Sequence, residues 1–411
     1  MTDYNAIINE LSNLNPPQKS FDNKLILQAL ETIGNPQFSY KVIHIAGTNG
    51  KGSTAAFIEA GLIEANYKVG KFSSPFIHVI NECICVNGIM ISDNELANLY
   101  IECKTTLENN NIFLSSFEML TLLMFVHCKN QQIDYLVLET GLGGRDDSTN
   151  VVDSQYSVIT NISLEHTQFL GNNLSNIAKH KAGIIKNGLT VVGDNLPELI
   201  EEVKDRSNNY ISIKDFYNIK DIELDKDNFT TKLEFTDGGN YYNFTLGIFG
   251  YFQAHNFLCA FTVLRDIGLS TEQIASATHK VKWHGRLQKI QNNPLIIADA
   301  SHNVDGVTNL ANSLTEWFEH KNSVIVCSIL NDKDIIHMLE QYSKISQNII
   351  FCSISDQPRT STAHELAKLA QGKFSYVDYT NTPQEAMKKA LQMNVRHVLV
   401  SGSCYLLKFF I

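Results

Sequence analysis

A chain of 411 residues is long enough for two or three domains with full cores. Its 44% hydrophobic and 18% charged content are ordinary for a globular protein. A net charge of −10 argues against a nucleic-acid surface, which would normally show a basic excess, while a few placed cations in a cleft would still serve small anionic substrates.

The N-terminal stretch MTDYNAIINELSNLNPP has no basic region followed by an apolar core, so no signal peptide is expected. No run of 18 apolar residues is available to cross a membrane. Eight cysteines are scattered along the chain. Cys83 and Cys85 stand in a strand-like run that would put both on one face. No ligand-spaced cluster is present, so reduced thiols in a cytoplasmic protein are expected.

Residues 1–40 read as one or two helices, broken at Pro16-Pro17 and at Pro36. The stretch VIHIAGTNGKGST then gives a buried strand over 42–45, a glycine turn over 47–52 and a helix over 53–65 that Asn66 can end. A second strand is predicted over 68–72, a flap or hairpin over 76–91, and a helix over 93–107 with Asp93 as its cap. An apolar helix follows over 117–129, with strands over 134–139, 156–161 and 189–192 and a helix over 172–182. Strands alternating with helices imply a doubly wound parallel sheet. From 210 to 247 the pattern changes to short alternating segments, read as an added antiparallel sheet, and 250–268 returns to helix. After Trp283-His284-Gly285-Arg286, read as a hinge, a smaller Rossmann-like α/β set is predicted. Its strands fall at 295–298, 324–329, 348–353, 374–377 and 398–401, and its helices at 304–318, 334–344, 363–370 and 383–393. The expected domains are 1–283 and 284–411.

Strand, glycine turn and helix form a phosphate-binding arrangement. Glycines let backbone N–H groups approach oxyanions, the helix N-terminus adds partial positive charge, and Lys51 adds a full one. The match to the P-loop pattern is shifted. Ile45 stands where that pattern has its first glycine, Gly52 follows the lysine, and the hydroxyl comes one place later at Ser53, with Thr54 behind it. In open parallel sheets ligands bind beyond the carboxyl ends of the strands, where Ser74, Glu139 and His166 are expected. A hydroxyl, a carboxylate and an imidazole near a triphosphate make a reasonable Mg2+ neighbourhood, because that ion takes few protein ligands plus phosphate and water.

The shifted loop GTNGKGS resembles the nucleotide loop of the Mur ligase superfamily, and within it of the folylpolyglutamate synthase and dihydrofolate synthase family. SSPFIHVINE, ETGLGGRDDSTN and SLEHTQFLG are similar to that family's serine-proline, glutamate-glycine and histidine loops. The resemblance implies ATP bound by Gly47, Thr48, Asn49, Gly50, Lys51, Gly52, Ser53 and Thr54. It implies two Mg2+ sites, one held by Ser74 and Glu139 and the other with help from Glu139 and His166. AKHKAGIIKNG is similar to the family's lysine motif and places Lys181 at the residue carbamylated in these ligases. CO2 adds only to a neutral amine, so such a lysine must be buried or near other cations. GYFQAHN and HGRLQ imply nucleotide contacts through Asn256 and Arg286, and DASHN implies nucleotide and glutamate contacts through Asp299 and His302. SILNDKD also fits the family pattern.

The resemblance runs over roughly residues 35–405. It departs at Val79 and Cys83, where arginines are usual beside the pterin substrate, at Gln288 for a usual glutamate and at Ser301 for a usual alanine. It implies a cytoplasmic, monomeric ATP-dependent amide ligase that adds L-glutamate to dihydropteroate, to reduced folates or to both. Closure about Gly285 would precede chemistry. A cell-wall Mur ligase would need a uridine-nucleotide domain ahead of the P-loop, where only about 40 residues precede it. A non-catalytic nucleotide-binding module is the remaining rival.

Overall fold

The computed structural model describes residues 4–15, 22–355, 357 and 359–411. The break expected at Pro16-Pro17 lies outside them. The chain divides into two compact units that are not continuous in sequence. One takes the chain up to Asn218 together with Phe235–Tyr241 and His255–His279, and the other takes Ile219–Glu234, Tyr242–Ala254 and Lys280–Ile411.

The first unit is built on eight strands: β1 (Lys41–Ala46), β2 (Val69–Phe72), β3 (Ile84–Val86), β4 (Ile89–Met90), β5 (Tyr135–Glu139), β6 (Tyr156–Ile159), β7 (Leu189–Val192) and β8 (Tyr210–Ser212). They lie in the order β4-β3-β2-β5-β1-β6-β7-β8. Neighbours from β2 through β8 run parallel, and β2–β3 and β3–β4 pair antiparallel as an edge hairpin. Continuous apolar runs suit strands covered on both faces. β5 and β7 are buried at every residue and β1 at all but its first. The strand order reverses direction around β1, and a switch of that kind leaves a crevice at the carboxyl ends.

The crossover helix Lys51–Glu64 is alanine- and glycine-rich and buried nearly all round. Gly61 lets Leu264 pack close, since a Cβ there would come 2.5 Å from a Leu264 methyl and the leucine would have to shift. One core contains Leu30, Phe72, Tyr100, Leu122, Phe125 and Leu136.

A three-stranded antiparallel sheet follows: β9 (Asn218–Asp225), β10 (Thr230–Thr236) and β11 (Tyr241–Leu246), in the order β11-β10-β9. The second unit then adds β12 (Gln288–Asn292), β13 (Leu295–Asp299), β14 (Ser323–Cys327), β15 (Asn348–Cys352), β16 (Tyr376–Thr380) and β17 (His397–Ser401). Their order is β12-β13-β17-β14-β15-β16, parallel except for β12 against β13. Leu310, Leu314, Ile325, Tyr342, Phe351 and Leu399 are buried in its core.

The α/β architecture with an added sheet is as the sequence implies, with local differences. Residues 210–212 extend the large sheet by pairing parallel with β7, instead of opening the antiparallel one. Ser92, not Asp93, caps the helix Asp93–Asn109, because its Oγ accepts the Glu95 N–H while the Glu95 carboxylate accepts the Ser92 N–H. The helix after the glycine turn begins at Lys51, two residues early, with Gly50 as a left-handed cap. Cys83 closes a single 3-10 turn, Ile80–Cys83, before β3 begins, so strand alternation does not relate it to Cys85. All eight cysteines are free thiols and seven are buried. Among the described residues no helix is long and apolar enough to cross a membrane.

Candidate active site

The glycine turn is held from below by the loop after β6. The Thr160 hydroxyl donates to Asn49 O at 2.6 Å, and the Asn161 side-chain oxygen accepts the Asn49 N–H at 2.8 Å. Asn161 O accepts the Thr48 N–H at 3.0 Å, and Thr48 Oγ1 accepts the Ser163 N–H at 3.0 Å. Two glycines are obligatory. A Cβ on Gly47 would stand 1.8 Å from Thr160 Oγ1, and one on Gly50, whose φ is +86°, would stand 2.2 Å from Asn256 Oδ1. Asn256 is thus brought to the turn, and its backbone oxygen accepts from Thr54 Oγ1 at 3.3 Å.

Lys51 Nζ lies 3.1 Å from Gly47 O and 3.2 Å from Thr48 O, and 3.9 Å from the buried Glu139 carboxylate at the end of β5. Ser53 Oγ is buried without a hydrogen-bond partner among the described residues, as is Ser163 Oγ. Buried hydroxyls are normally satisfied, and two oxygens of this kind at the glycine turn suit an oxyanion or its cation. Ser74 follows β2, whose register pairs Phe72 with Leu138 and so carries the next residues toward Glu139.

His166 has a left-handed backbone (φ +51°) at the start of the turn Thr167–Leu170, and its Nε2 lies 3.9 Å from Glu165 Oε1. Lys181 ends the helix Leu174–Ala182 and is 3% exposed. Burial, reinforced by the charge of Lys51, pushes its ammonium down from 10.5 to about 7, against the opposing pull of Glu165 and Asp147. No group of three or more His, Cys, Asp or Glu side chains has metal-binding geometry among the described residues. Oxygen donors at Ser53, Ser74 and Glu139 nonetheless fit a hard cation that also takes phosphate oxygens and water.

Sequence reasoning missed a buried chain beneath this site. Asp147 accepts the Leu142 N–H at 2.6 Å, the Thr149 N–H at 3.0 Å and the Thr149 hydroxyl at 2.6 Å. With its proton given to Asp147, Thr149 Oγ1 must accept from His44 Nε2, 2.9 Å away on β1. Burial, and then the charge of Lys186, pushes His44 down to about 3, so the imidazole is neutral. Burial also holds Asp147 above the usual carboxylate range, against those hydrogen bonds. Thr48, Thr160, Asn161 and Glu165 belong to the same neighbourhood. The polar run TNISLEH directly after a strand was the available signal.

In the second unit, Asp299 closes β13 and is 2% exposed. One of its oxygens accepts the Leu287 N–H at 2.8 Å, and the other accepts from Ser301 N at 2.9 Å and Ser301 Oγ at 2.5 Å. His302 Nδ1 lies 2.8 Å from Ala300 O, so that nitrogen carries the proton. Arg286 NH1 reaches only Gly285 O, at 3.4 Å, among its recorded hydrogen bonds. Cys83, expected beside the substrate, is 1% exposed with its thiol pushed up by burial, whereas Val79 is 40% exposed.

A P-loop at the switch point of a parallel sheet, with a buried carboxylate beside its lysine and a second α/β unit, is the arrangement of an ATP-dependent ligase. The model of the Mur ligase middle domain matches residues 45–264, and that of the Mur ligase glutamate ligase domain matches 285–404. The dihydrofolate synthase/folylpolyglutamate synthase of Bacillus subtilis is 33% identical over 92% of this chain and 91% of its own length. The folylpolyglutamate synthase of Lacticaseibacillus casei is 31% identical over 94% and 93%. Mycobacterium tuberculosis folylpolyglutamate synthase complexed with ADP and AMPPCP superposes with a TM-score of 0.90 at 26% identity, covering 99% of this chain and 98% of that one. For E. coli FolC in complex with DHPP and ADP the values are 0.89, 26%, 99% and 96%. The chain belongs to the Mur ligase family, in its dihydrofolate synthase/folylpolyglutamate synthase branch, and is an ATP-dependent ligase.

Proposed function

We propose that this enzyme joins L-glutamate to both dihydropteroate and reduced folates at the expense of ATP. The reading rests above all on full-length kinship with relatives that carry both activities in their names, the Bacillus subtilis protein among them. The Lys51 ammonium and the amides of residues 47–52 hold the triphosphate. An oxygen of the substrate carboxylate attacks the γ-phosphorus, ADP leaves, and an acyl phosphate forms. The neutral amine of glutamate then attacks the acyl carbon, and phosphate and a proton are released as the amide forms. The protein's share is placement and charge neutralisation.

Two Mg2+ ions, one on Ser74 and Glu139 and one on Glu139, His166 and a carbamate of Lys181, would neutralise phosphate charge. The lowered pKa of Lys181 favours carbamylation, because it leaves a neutral amine at physiological pH. Asn256 and Arg286 serve the nucleotide, and Asp299 and His302 serve nucleotide and glutamate. A cytoplasmic monomer completes the proposal, and its free thiols suit a reducing compartment.

The test is phosphate release from MgATP with dihydropteroate and with tetrahydrofolate, each with and without L-glutamate. Release that needs glutamate and either acid supports the dual activity. Turnover with the reduced folate alone would reduce the enzyme to a folylpolyglutamate synthase. No turnover with either acid would remove the pterin substrates and leave a Mur-type ligase acting on another carboxylate.

A further inference from the structure

Between β2 and β3 the chain makes a loop that carries Ser74, closed at its base by a hydrogen bond from Ser73 N to Cys83 O at 3.2 Å. Inside it, one carboxylate gathers three successive backbone N–H groups. Glu82 Oε2 accepts from Ile77 at 2.9 Å, and Oε1 accepts from His78 at 3.0 Å and Val79 at 3.1 Å. Among the described residues those three donors have no other hydrogen-bond partner, so without Glu82 the turn that reverses the chain after Ser74 would lose its centre. The back of the loop is anchored separately. Asn81 is 1% exposed, its amide donates to Ile91 O at 2.9 Å and to Asp93 Oδ1 at 3.1 Å, and its oxygen accepts from the hydroxyl of Tyr4. One wall of the loop is therefore fastened to the body of the unit, and the other is held by the Glu82 carboxylate together with a backbone hydrogen bond from Glu82 N to Val79 O at 3.1 Å. Charge-assisted hydrogen bonds to a carboxylate are the stronger kind.

We propose that Glu82 is a positioning residue: it holds the Ser73–Cys83 loop in the shape that presents Ser74 beside Glu139 and turns the exposed Val79 and His78 toward the acid substrate. The inference rests on the ligase reading above and adds to it a residue that touches neither substrate nor nucleotide. The P-loop is braced by Thr160 and Asn161 and does not depend on Glu82. Losing this carboxylate should therefore penalise the acid and the metal while sparing the nucleotide.

The experiment compares Glu82→Ala and Glu82→Gln with the wild type in amide hydrogen exchange, ADP affinity and steady-state kinetics. In Glu82→Ala the amides of residues 77–79 exchange at least about tenfold faster, and kcat/KM for the acid falls about 100-fold with a raised KM, as expected for misplacement by about 1 Å. The dissociation constant of ADP measured without Mg2+ stays within about twofold of wild type, since no contact to the P-loop is lost. Glu82→Gln keeps one accepting oxygen and recovers part of both the protection and the KM. Should the alanine variant not fold, Glu82→Asp, which keeps the charge and shortens the reach, carries the same expectation as alanine.

The inference is overturned if exchange at 77–79 and the acid KM stay at wild-type values, or if ADP affinity falls in step with the acid. It is equally overturned if glutamine is no better than alanine. A wild type that turns over while the variants match it removes only this inference. A wild type without turnover removes the pterin substrates first.

Discussion

Lys181 offers the sharpest quantitative test. With its pKa at about 7, about half of the side chains are neutral at pH 7, against about one in 3,000 for an unperturbed lysine. Burial, with the charge of Lys51, thus raises the population able to take up CO2 about 1,500-fold. Between pH 8 and pH 6 the neutral fraction falls from about 90% to about 10%, so carbamate formation at fixed dissolved CO2 should drop about tenfold.

The pKa is lowered on folding, which sets the sign of the stability effect. Between about pH 7 and 10.5 the unfolded chain keeps a proton that the folded chain has released. Without bicarbonate, stability therefore rises with pH through that window, by up to about 5 kcal/mol from this group. Below about pH 7 the lysine is charged in both states and the full penalty is present. Isotope-labelled bicarbonate with carbon NMR reports the carbamate, and denaturant unfolding at pH 6.5 to 9 reports the slope. Lys181→Met should lose the labelled signal, flatten the slope and abolish bicarbonate-dependent activity. Full activity in Lys181→Met at all bicarbonate levels refutes the carbamate. An unchanged slope refutes the depressed pKa.

Lys51→Ala should cost about 3 kcal/mol or more of transition-state stabilisation, read as a fall of at least about 100-fold in kcat/KM. Gly50→Ala forces a Cβ to within 2.2 Å of Asn256 Oδ1 at a left-handed φ, so nucleotide affinity measured by titration calorimetry should fall at least about tenfold, and wild-type affinity would count against the braced loop. Thr149→Val leaves His44 Nε2–H without its acceptor and removes one donor from Asp147. Denaturant unfolding should show a loss of about 1–3 kcal/mol, and less than about 0.5 kcal/mol would mean that this buried chain contributes little.

The parts of the molecule written in local sequence were the readable ones. The glycine turn, its lysine and the apolar strand before it are neighbours in the chain, so their chemistry shows without a fold. β7 was placed to the residue, because a leucine, a threonine and two valines between polar loops suit a short buried strand. β12 was missed, because Gln288–Asn292 is a polar edge strand with no apolar alternation to announce it. Residues 210–212 were assigned to the wrong sheet, because three residues carry strand character but not the identity of the partner strand. Thr160, Asn161, Thr149 and His44 act on loops that are distant in sequence, and nothing in their spacing connects them. Glu82 accepts the Val79 N–H as the glutamate of a capping box does, but its reach to the amides four and five positions before it is not announced by that motif.

Asp299 carries a warning for anyone who maps this enzyme by mutagenesis. Its two oxygens knit the segment ending at Leu287 to the segment beginning at Ser301. An alanine there would loosen both strips of chain at once, and every contact either strip makes would weaken together. The resulting dead enzyme would have lost a knot along with any contact Asp299 makes to nucleotide and glutamate, and activity alone would not separate the two.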